Sequence, residues 1–180
     1  MSNARRQSNE EILALIEAAK PLVTYLKDVK SSGTASQALT VGSYAARTLN
    51  TQEGDTTFCT LINGSLGTNG TANQFTLIAG TYRIRAEAQA MSQAAAASAS
   101  KIKLRNITAG TDVIIGTPML DTNISGSVDT LMTSLEGTFT ISATTTFEIQ
   151  QRASVVSNGG SNATFGDVEV YTTVKLEKVP

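Results

Sequence analysis

A chain of 180 residues fits one ordinary domain with an appendage, and a chain of that length can bury roughly 70% of its unfolded surface. Hydrophobic residues make up 41%, charged residues 16%, and the formal net charge is −1, so no overall field draws in nucleic acid or a membrane surface. There is no histidine and a single cysteine, which removes the commonest general base, the usual catalytic triad and any plausible zinc site. Thr, Ser, Ala, Gly and Val supply much of the remainder, a composition for a β-sandwich with a neutral surface, of the kind that other copies of the same chain cover.

The first seven residues are polar, and Arg5-Arg6 is their basic cluster, read as a solvated tail or as an arm touching an acidic partner. The N-terminal stretch lacks the apolar core of a signal peptide, and no apolar run approaches the ~20 residues of a transmembrane helix. The expectation is a soluble product made in a cytoplasm. Ser8-Asn9-Glu10-Glu11 forms a capping box. From there Ile12, Leu15, Ala19, Leu22, Leu26 and Val29 recur at spacings of three and four, with Ile16 and Val23 widening the stripe. The reading is a short anchoring or oligomerisation helix, kinked or restarted at Pro21, because proline removes an amide and disfavours helix at Lys20. Its apolar stripe must be covered, by its own domain, by copies of itself or by a larger particle.

Ser31 to Ser36 has the composition of a flexible hinge, which divides residues 1–33 from a β domain over 34–180. Strand-like runs follow at about Leu39–Asn50, Thr56–Ile62, Gln74–Ile78, Thr81–Met91, Ser100–Ile107, Asp112–Pro118, Ser127–Ser134, Gly137–Ser142, Thr145–Val156 and Thr164–Val179. Turn signals separate them, among them Glu53-Gly54-Asp55, Asn63-Gly64, Ala109-Gly110 and Ser157-Asn158-Gly159-Gly160. Eight to ten short strands so spaced predict an all-β, antiparallel two-sheet sandwich or jelly roll. Within Phe75–Ala90 the run ending at Leu77, the turn at Ala79-Gly80 and the alternation of Tyr82, Ile84, Ala86, Ala88 and Ala90 with polar residues read as a hairpin with one buried face. Near the C-terminus Val168, Val170, Thr172, Val174 and Leu176 share one face of a strand expected in the middle of its sheet. Phe58-Cys59-Thr60-Leu61-Ile62 reads as buried on both faces, with Cys59 a small buried hydrophobe. The small-residue run Ala94–Ser100 reads either as a flexible loop or as a close subunit contact. Phe58, Leu61, Ala95 and Ala97 are the candidate contacts between copies of the chain.

Chemistry is sparse. The Gly-rich stretches precede no helix, so no phosphate-cradling loop is expected. The acids Asp55, Asp112, Asp121, Asp129, Glu148 and Glu169 fall in turns or on outward strand positions, unlike a glycosidase pair. Asp112, Asp121, Asn123 and Asp129 lack the spacing of a calcium loop and read as solvated turn residues. Lys101, Lys103 and Arg105 line one strand face without interleaved aromatics, which argues against nucleic acid. No enzyme, cofactor, metal site or nucleic-acid partner is expected.

The run Phe75-Thr76-Leu77-Ile78-Ala79-Gly80-Thr81-Tyr82-Arg83-Ile84-Arg85-Ala86 resembles the signature strand pair of jelly-roll domains in the tumour-necrosis-factor and complement-globular-head superfamily. The likeness extends to bacteriophage virion proteins with a related trimeric jelly roll, through Arg47–Thr51, Lys103–Asn106, Thr111–Thr117, Gly137–Ile141, Phe147–Arg152 and Phe165–Tyr171. It covers about residues 45–178. It implies homotrimers around a hydrophobic axis that serve as capsid decorations, head fibres or fibre tips on the virion surface. The partners implied are a major capsid protein or another virion protein, or a host-surface glycan or receptor. No site residue carries over.

Overall fold

The computed structural model describes residues 9–15, 20–62, 73–92, 98–121, 130–155, 157–162 and 164–180. Residues 9–15 are helical. The rest forms fourteen strands: β1 (Leu22–Lys30), β2 (Ala38–Leu39), β3 (Ala45–Ala46), β4 (Thr51–Gly54), β5 (Cys59–Ile62), β6 (Gln74–Leu77), β7 (Gly80–Ser92), β8 (Ser98–Asn106), β9 (Thr111–Ile115), β10 (Met119–Asp121), β11 (Thr130–Ile141), β12 (Thr145–Ala153), β13 (Ser157–Asn158) and β14 (Glu169–Val179). They make two antiparallel sheets. The first runs β11-β7-β14-β1-β4, with β13 and β2 continuing beyond β14 at the far end of β7. The second runs β10-β8-β12-β6-β5, with β9 beside β8 and β3 beside β12.

The largest departure from the sequence reading is β1. Leu22, Val23, Leu26 and Val29, expected on the helix, lie on a strand that pairs with β14 from Leu22↔Lys178 to Lys30↔Glu169 and with β4 on its other side. Two physical facts decide this. Val23-Thr24-Tyr25 is a β-branched and aromatic run that fits a pleated surface, and a place between two strands pairs backbone groups that a short helix would leave to water. Leu26 is fully buried, whereas Ile12, Leu13 and Leu15 on the helical residues remain exposed. Ile16 and Ala19 lie outside the described residues.

The Phe75–Ala90 stretch is not a hairpin. Its first arm, β6, belongs to the second sheet and its second, β7, to the first, so Ile78-Ala79 is a crossover between sheets. The Tyr82 hydroxyl donates to the Ile78 carbonyl at 2.7 Å and closes that crossover. The two runs expected on either side of Leu135-Glu136 are one strand, paired with β7 without interruption from Thr130↔Met91 to Ile141↔Gly80. Gly137 sits inside it because Ile114 of β9 packs on its bare backbone; a Cβ there would lie 2.8 Å from the Ile114 Cδ1. The run Leu39–Asn50 shrinks to β2 and β3, while β4, β10 and β13 are strands the sequence did not announce. On β5, at a sheet edge, Cys59 and Leu61 are buried and Thr60 is exposed, so the strand is buried on one face and not two.

β14 is central, as expected, and Thr172, Val174 and Leu176 face the core. Val168 and Val170 do not. Between Asp28/Val29 and their partners the register shifts, with Asp28 opposite Thr172 and Val29 opposite Val170. The bulge turns Tyr171 inward and leaves Val170 outside.

Between the sheets lies one main core, built from Leu26, Tyr82, Ile84, Leu135, Val174 and Leu176 on one side and Leu61, Phe75, Leu77, Ile102, Leu104, Phe147 and Ile149 on the other. Phe58, Tyr82, Phe139, Phe147 and Phe75 form a continuous run of rings, with successive centroids 5.9, 5.6, 5.4 and 5.8 Å apart. Cys59 packs into the same core, and burial pushes its thiol up to about 12 from the ordinary 9.0. Burial first, and then the neighbouring Cys59, push the Tyr82 phenol up to about 12.

Replacing Leu26 with Ala is expected to cost about 2–5 kcal/mol in urea unfolding, because the side chain fills the sandwich; a residue of a detached helix would leave the sandwich unfolding transition unmoved. The folded chain also holds protons on Cys59 and Tyr82 that the unfolded chain releases. Stability that is whole below about pH 9 is therefore lost as pH climbs toward 12. Urea midpoints measured across that range should fall, and Cys59→Ala should flatten the slope without removing it.

Candidate functional site

The alternating face of β7 tapers: Tyr82 and Ile84 give way to Ala86, Ala88 and Ala90. The space left beside the alanines holds a buried polar layer. Arg47, fully buried, donates from Nε to Thr172 Oγ1 at 3.0 Å and from Nη2 to the Gly159 carbonyl at 2.9 Å and Ser36 Oγ at 3.3 Å. Ser36 in turn donates to Asp28 Oδ2 at 2.8 Å. Asp28, also fully buried, has its second oxygen 3.3 Å from the Lys30 ammonium. Desolvation lowers the Arg47 guanidinium to about 10, against the opposing pull of Asp28. Gly159 passes so close that a Cβ on it would lie 1.6 Å from Arg47 Nη1. Further across the same level, Gln151 donates to Ser100 Oγ at 2.9 Å and Thr133 Oγ1 at 3.2 Å, and Thr133 donates to the Ala88 carbonyl. The Tyr171 hydroxyl, raised by burial and by Glu169, is shared between the Thr34 carbonyl and the Glu169 carboxylate. This layer ties the loops at 31–36 and 157–160 to β1 and β14. It is closed to solvent, so its chemistry is structural.

The outer face of the first sheet is carried by β11, β7, β14, β1 and β4. Its register sets Glu136, Arg85, Lys175, Tyr25 and Glu53 in one cross-strand row. Thr138, Arg83, Glu177 and Val23 form the next row. Arg85 pairs with Glu87 at 2.6 Å, Lys27 with Glu53 at 2.6 Å, and Lys175 with Glu177. The Glu87 carboxylate holds the Arg85 guanidinium above its ordinary value, and Glu177 does the same for Lys175. A shallow cleft of about 480 Å³ opens between Arg83, Arg85, Glu136, Thr138, Lys175 and Glu177. Arg85 and Lys175 stand opposite each other there, and Glu136, Glu87, Glu177 and Glu53 around them balance the charge across the face.

Of the acids considered from the sequence, Asp55, Asp112, Glu148 and Glu169 are engaged. Asp112 takes Lys103 at 2.9 Å and Arg105 at 2.8 Å, and the Lys103 hydrogen bond above all holds its carboxyl below the usual range. Glu148 accepts from Gln74 and Gln150, and Asp55 accepts from Thr57. Among the described residues, no three His, Cys, Asp or Glu side chains gather to hold a metal, and no helix is long and apolar enough to cross a membrane. Asn123 and Asp129 lie outside the described residues, as do Ala95 and Ala97. Phe58 and Leu61 lie in the core of the single chain. Nothing local in the sequence marks Arg47 and Asp28 as buried, beyond Asp28 sharing a strand face with Thr24 and Leu26.

No protein-family model matches the chain, and no curated protein matches it. Solved structures do. The Eiger TNF of S. frugiperda superposes with a TM-score of 0.50 at 6% identity, over 89% of this chain and 93% of that one. Murine APRIL at pH 5.0 gives 0.47 at 10% identity, over 89% and 100%. The globular domain of zebrafish complement 1qA gives 0.42 at 11%, over 89% and 96%. The likeness to the insect protein shows the jelly-roll fold, and the fold alone.

Asp28→Asn removes the buried carboxylate that Arg47 faces across Ser36 and that Lys30 pairs with, leaving the buried Arg47 charge uncompensated. It should cost about 3–5 kcal/mol by urea denaturation, whereas Glu87→Gln on the exposed Arg85 pair should cost less than about 1 kcal/mol.

Proposed function

We propose that this chain is a non-enzymatic assembly protein that works as a homotrimer. In our reading it is a capsid decoration or cement protein of a bacteriophage, displayed on the virion surface and bound to the major capsid protein or another virion protein. The observation that carries the assembly reading is the outer face of β11-β7-β14-β1. Its cross-strand rows balance acids against bases, Glu136 and Glu53 against Arg85 and Lys175, and Glu177 against Arg83, so copies meet there without a net like-charge repulsion. Half-buried Val23 and Tyr25 add apolar area to it. The phage assignment rests on the sequence resemblance running from Arg47 to Tyr171. The helical residues 9–15, with Ile12, Leu13 and Leu15 exposed, supply an apolar stripe for a larger particle to cover. Three linked contacts per trimer would multiply a weak one, and binding to the assembled shell alone stabilises that shell by mass action.

A second reading, a short tail or head fibre whose tip binds a host-surface receptor or glycan, is favoured by one feature. The connection before β14 exposes Phe165 at 88% and Val168 at 67%, an apolar loop tip of the kind that makes contact.

Sedimentation of the purified protein should give a trimer; a monomer at micromolar concentration would overturn the assembly reading. Arg85→Glu with Lys175→Glu places like charges together on that face and should weaken association at least tenfold, about 1.4 kcal/mol or more. A chain starting at Lys20 should keep the sandwich and the trimer but fail to co-sediment with shells. Labelling on intact particles separates shell from tail.

A further inference from the structure

The second sheet turns its outer face away from the proposed assembly face, and it carries an unbalanced pair of cations. Lys101 on β8 stands directly opposite Arg152 on β12, and both lie on the solvent side, alternating with buried Ser100, Ile102, Gln151 and Ala153. Side chains so placed have Cβ atoms about 4.5–5.5 Å apart, and like charges there repel. Elsewhere on this face the cations are answered: Lys103 and Arg105 share Asp112. Among the described residues no carboxylate bonds Lys101 or Arg152. Glu148, on the same face of β12, is taken up by Gln74 and Gln150.

The pair opens onto a cleft of about 220 Å³, lined also by Tyr44, Ala99, Pro118 and Ser154. That is smaller than the roughly 300–1,000 Å³ that encloses a drug-sized ligand, so the cleft suits one ring or a terminal residue. The walls are mixed: two cations and a serine hydroxyl on one hand, and the flat surfaces of a tyrosine, a proline and an alanine on the other. Tyr44 is fixed in place by Lys103, whose ammonium sits 4.2 Å from its ring centroid. The Ser154 hydroxyl is held by the Ala99 amide at 2.8 Å. A fixed aromatic wall next to paired cations matches a pyranose ring that carries a carboxylate. The C–H face of the sugar lies on the ring, the carboxylate takes the guanidinium and the ammonium, and the sugar hydroxyls meet serine and water.

We propose that this cleft binds the terminal residue of an acidic saccharide, with Lys101 and Arg152 holding its carboxylate and Tyr44 against its ring. The inference goes beyond the assembly reading and does not rest on it, since the cleft lies within one chain, on the opposite sheet.

The test is calorimetric titration of the full chain with four probes: a glucuronate-terminated disaccharide, a sialate-terminated trisaccharide, the methyl ester of the better binder, and sodium acetate. At least one acidic sugar should bind, and its ester and acetate should bind at least tenfold more weakly. Lys101→Gln with Arg152→Gln should weaken the acidic sugar at least tenfold, while the melting temperature stays level or rises because the repulsion is gone. Tyr44→Ala should weaken the sugar and leave acetate unchanged. The proposal is overturned if neither acidic sugar binds, if ester and acid bind alike, if acetate binds as tightly as the sugar, or if the double variant binds like the parent. Sedimentation of the same double variant should still give the parental oligomer, which keeps a failure here apart from a failure of the assembly reading.

Discussion

The phenol of Tyr82 is the point on which the sandwich turns. A chain leaving one sheet at Leu77 and entering the other at Gly80 has Ile78 and Ala79 in which to cross. Facing sheets pack about 10 Å apart, so the crossing must be taut and held. The Tyr82 ring fills the gap it spans, in contact with Phe58 and Phe139, and its hydroxyl satisfies the Ile78 carbonyl that the crossing would otherwise leave unpaired. Packing and hydrogen bonding come from one side chain at one place. That fixes the distance between the layers, and Phe139, Phe147 and Phe75 continue the spacing through the core.

From that fixed end the interior changes character along its length. Large rings give way to alanines on β7, and the freed volume is taken by Arg47, Asp28, Gln151, Thr133 and Thr172. A buried charged pair contributes little net stability compared with a well-packed apolar one. What the pair does here is directional. Each donor of the Arg47 fork that finds a partner finds it on a different segment, so the layer sets where β14, the 31–36 connection and the 157–160 connection sit relative to one another.

Much of this was open to reading from the residues, and the failures have causes. The period of two on β7, β12 and β14 follows from one buried face, and it gave the strands and most of the core. β1 was misread because Leu22, Leu26 and Val29 fall at helical spacings while Val23-Thr24-Tyr25 favours a strand. The pairing on both its edges decided the matter, and those partners lie far away in sequence. The Ile78-Ala79 crossover was invisible for a like reason: a short connection between two apolar runs looks the same whether its arms pair with each other or with others. Arg47 gave no sign, since nothing local distinguishes a buried arginine from a solvated one. The surfaces were least legible, because which cations face each other depends on register. Lys101, Lys103 and Arg105 look alike in the sequence, yet two are neutralised by Asp112 and one confronts Arg152.

The adjacency of β1 and β14 gives the molecule two unlike poles. Leu22 stands opposite Lys178, one strand spacing away, at the aromatic end of the sandwich, while the 31–36 connection and the exposed Phe165 lie at the other. A peptide joined ahead of β1 and another joined behind β14 would therefore leave from the same pole and in the same direction. A few residues of linker could splice the two strands into a circular permutant with the sheet order intact.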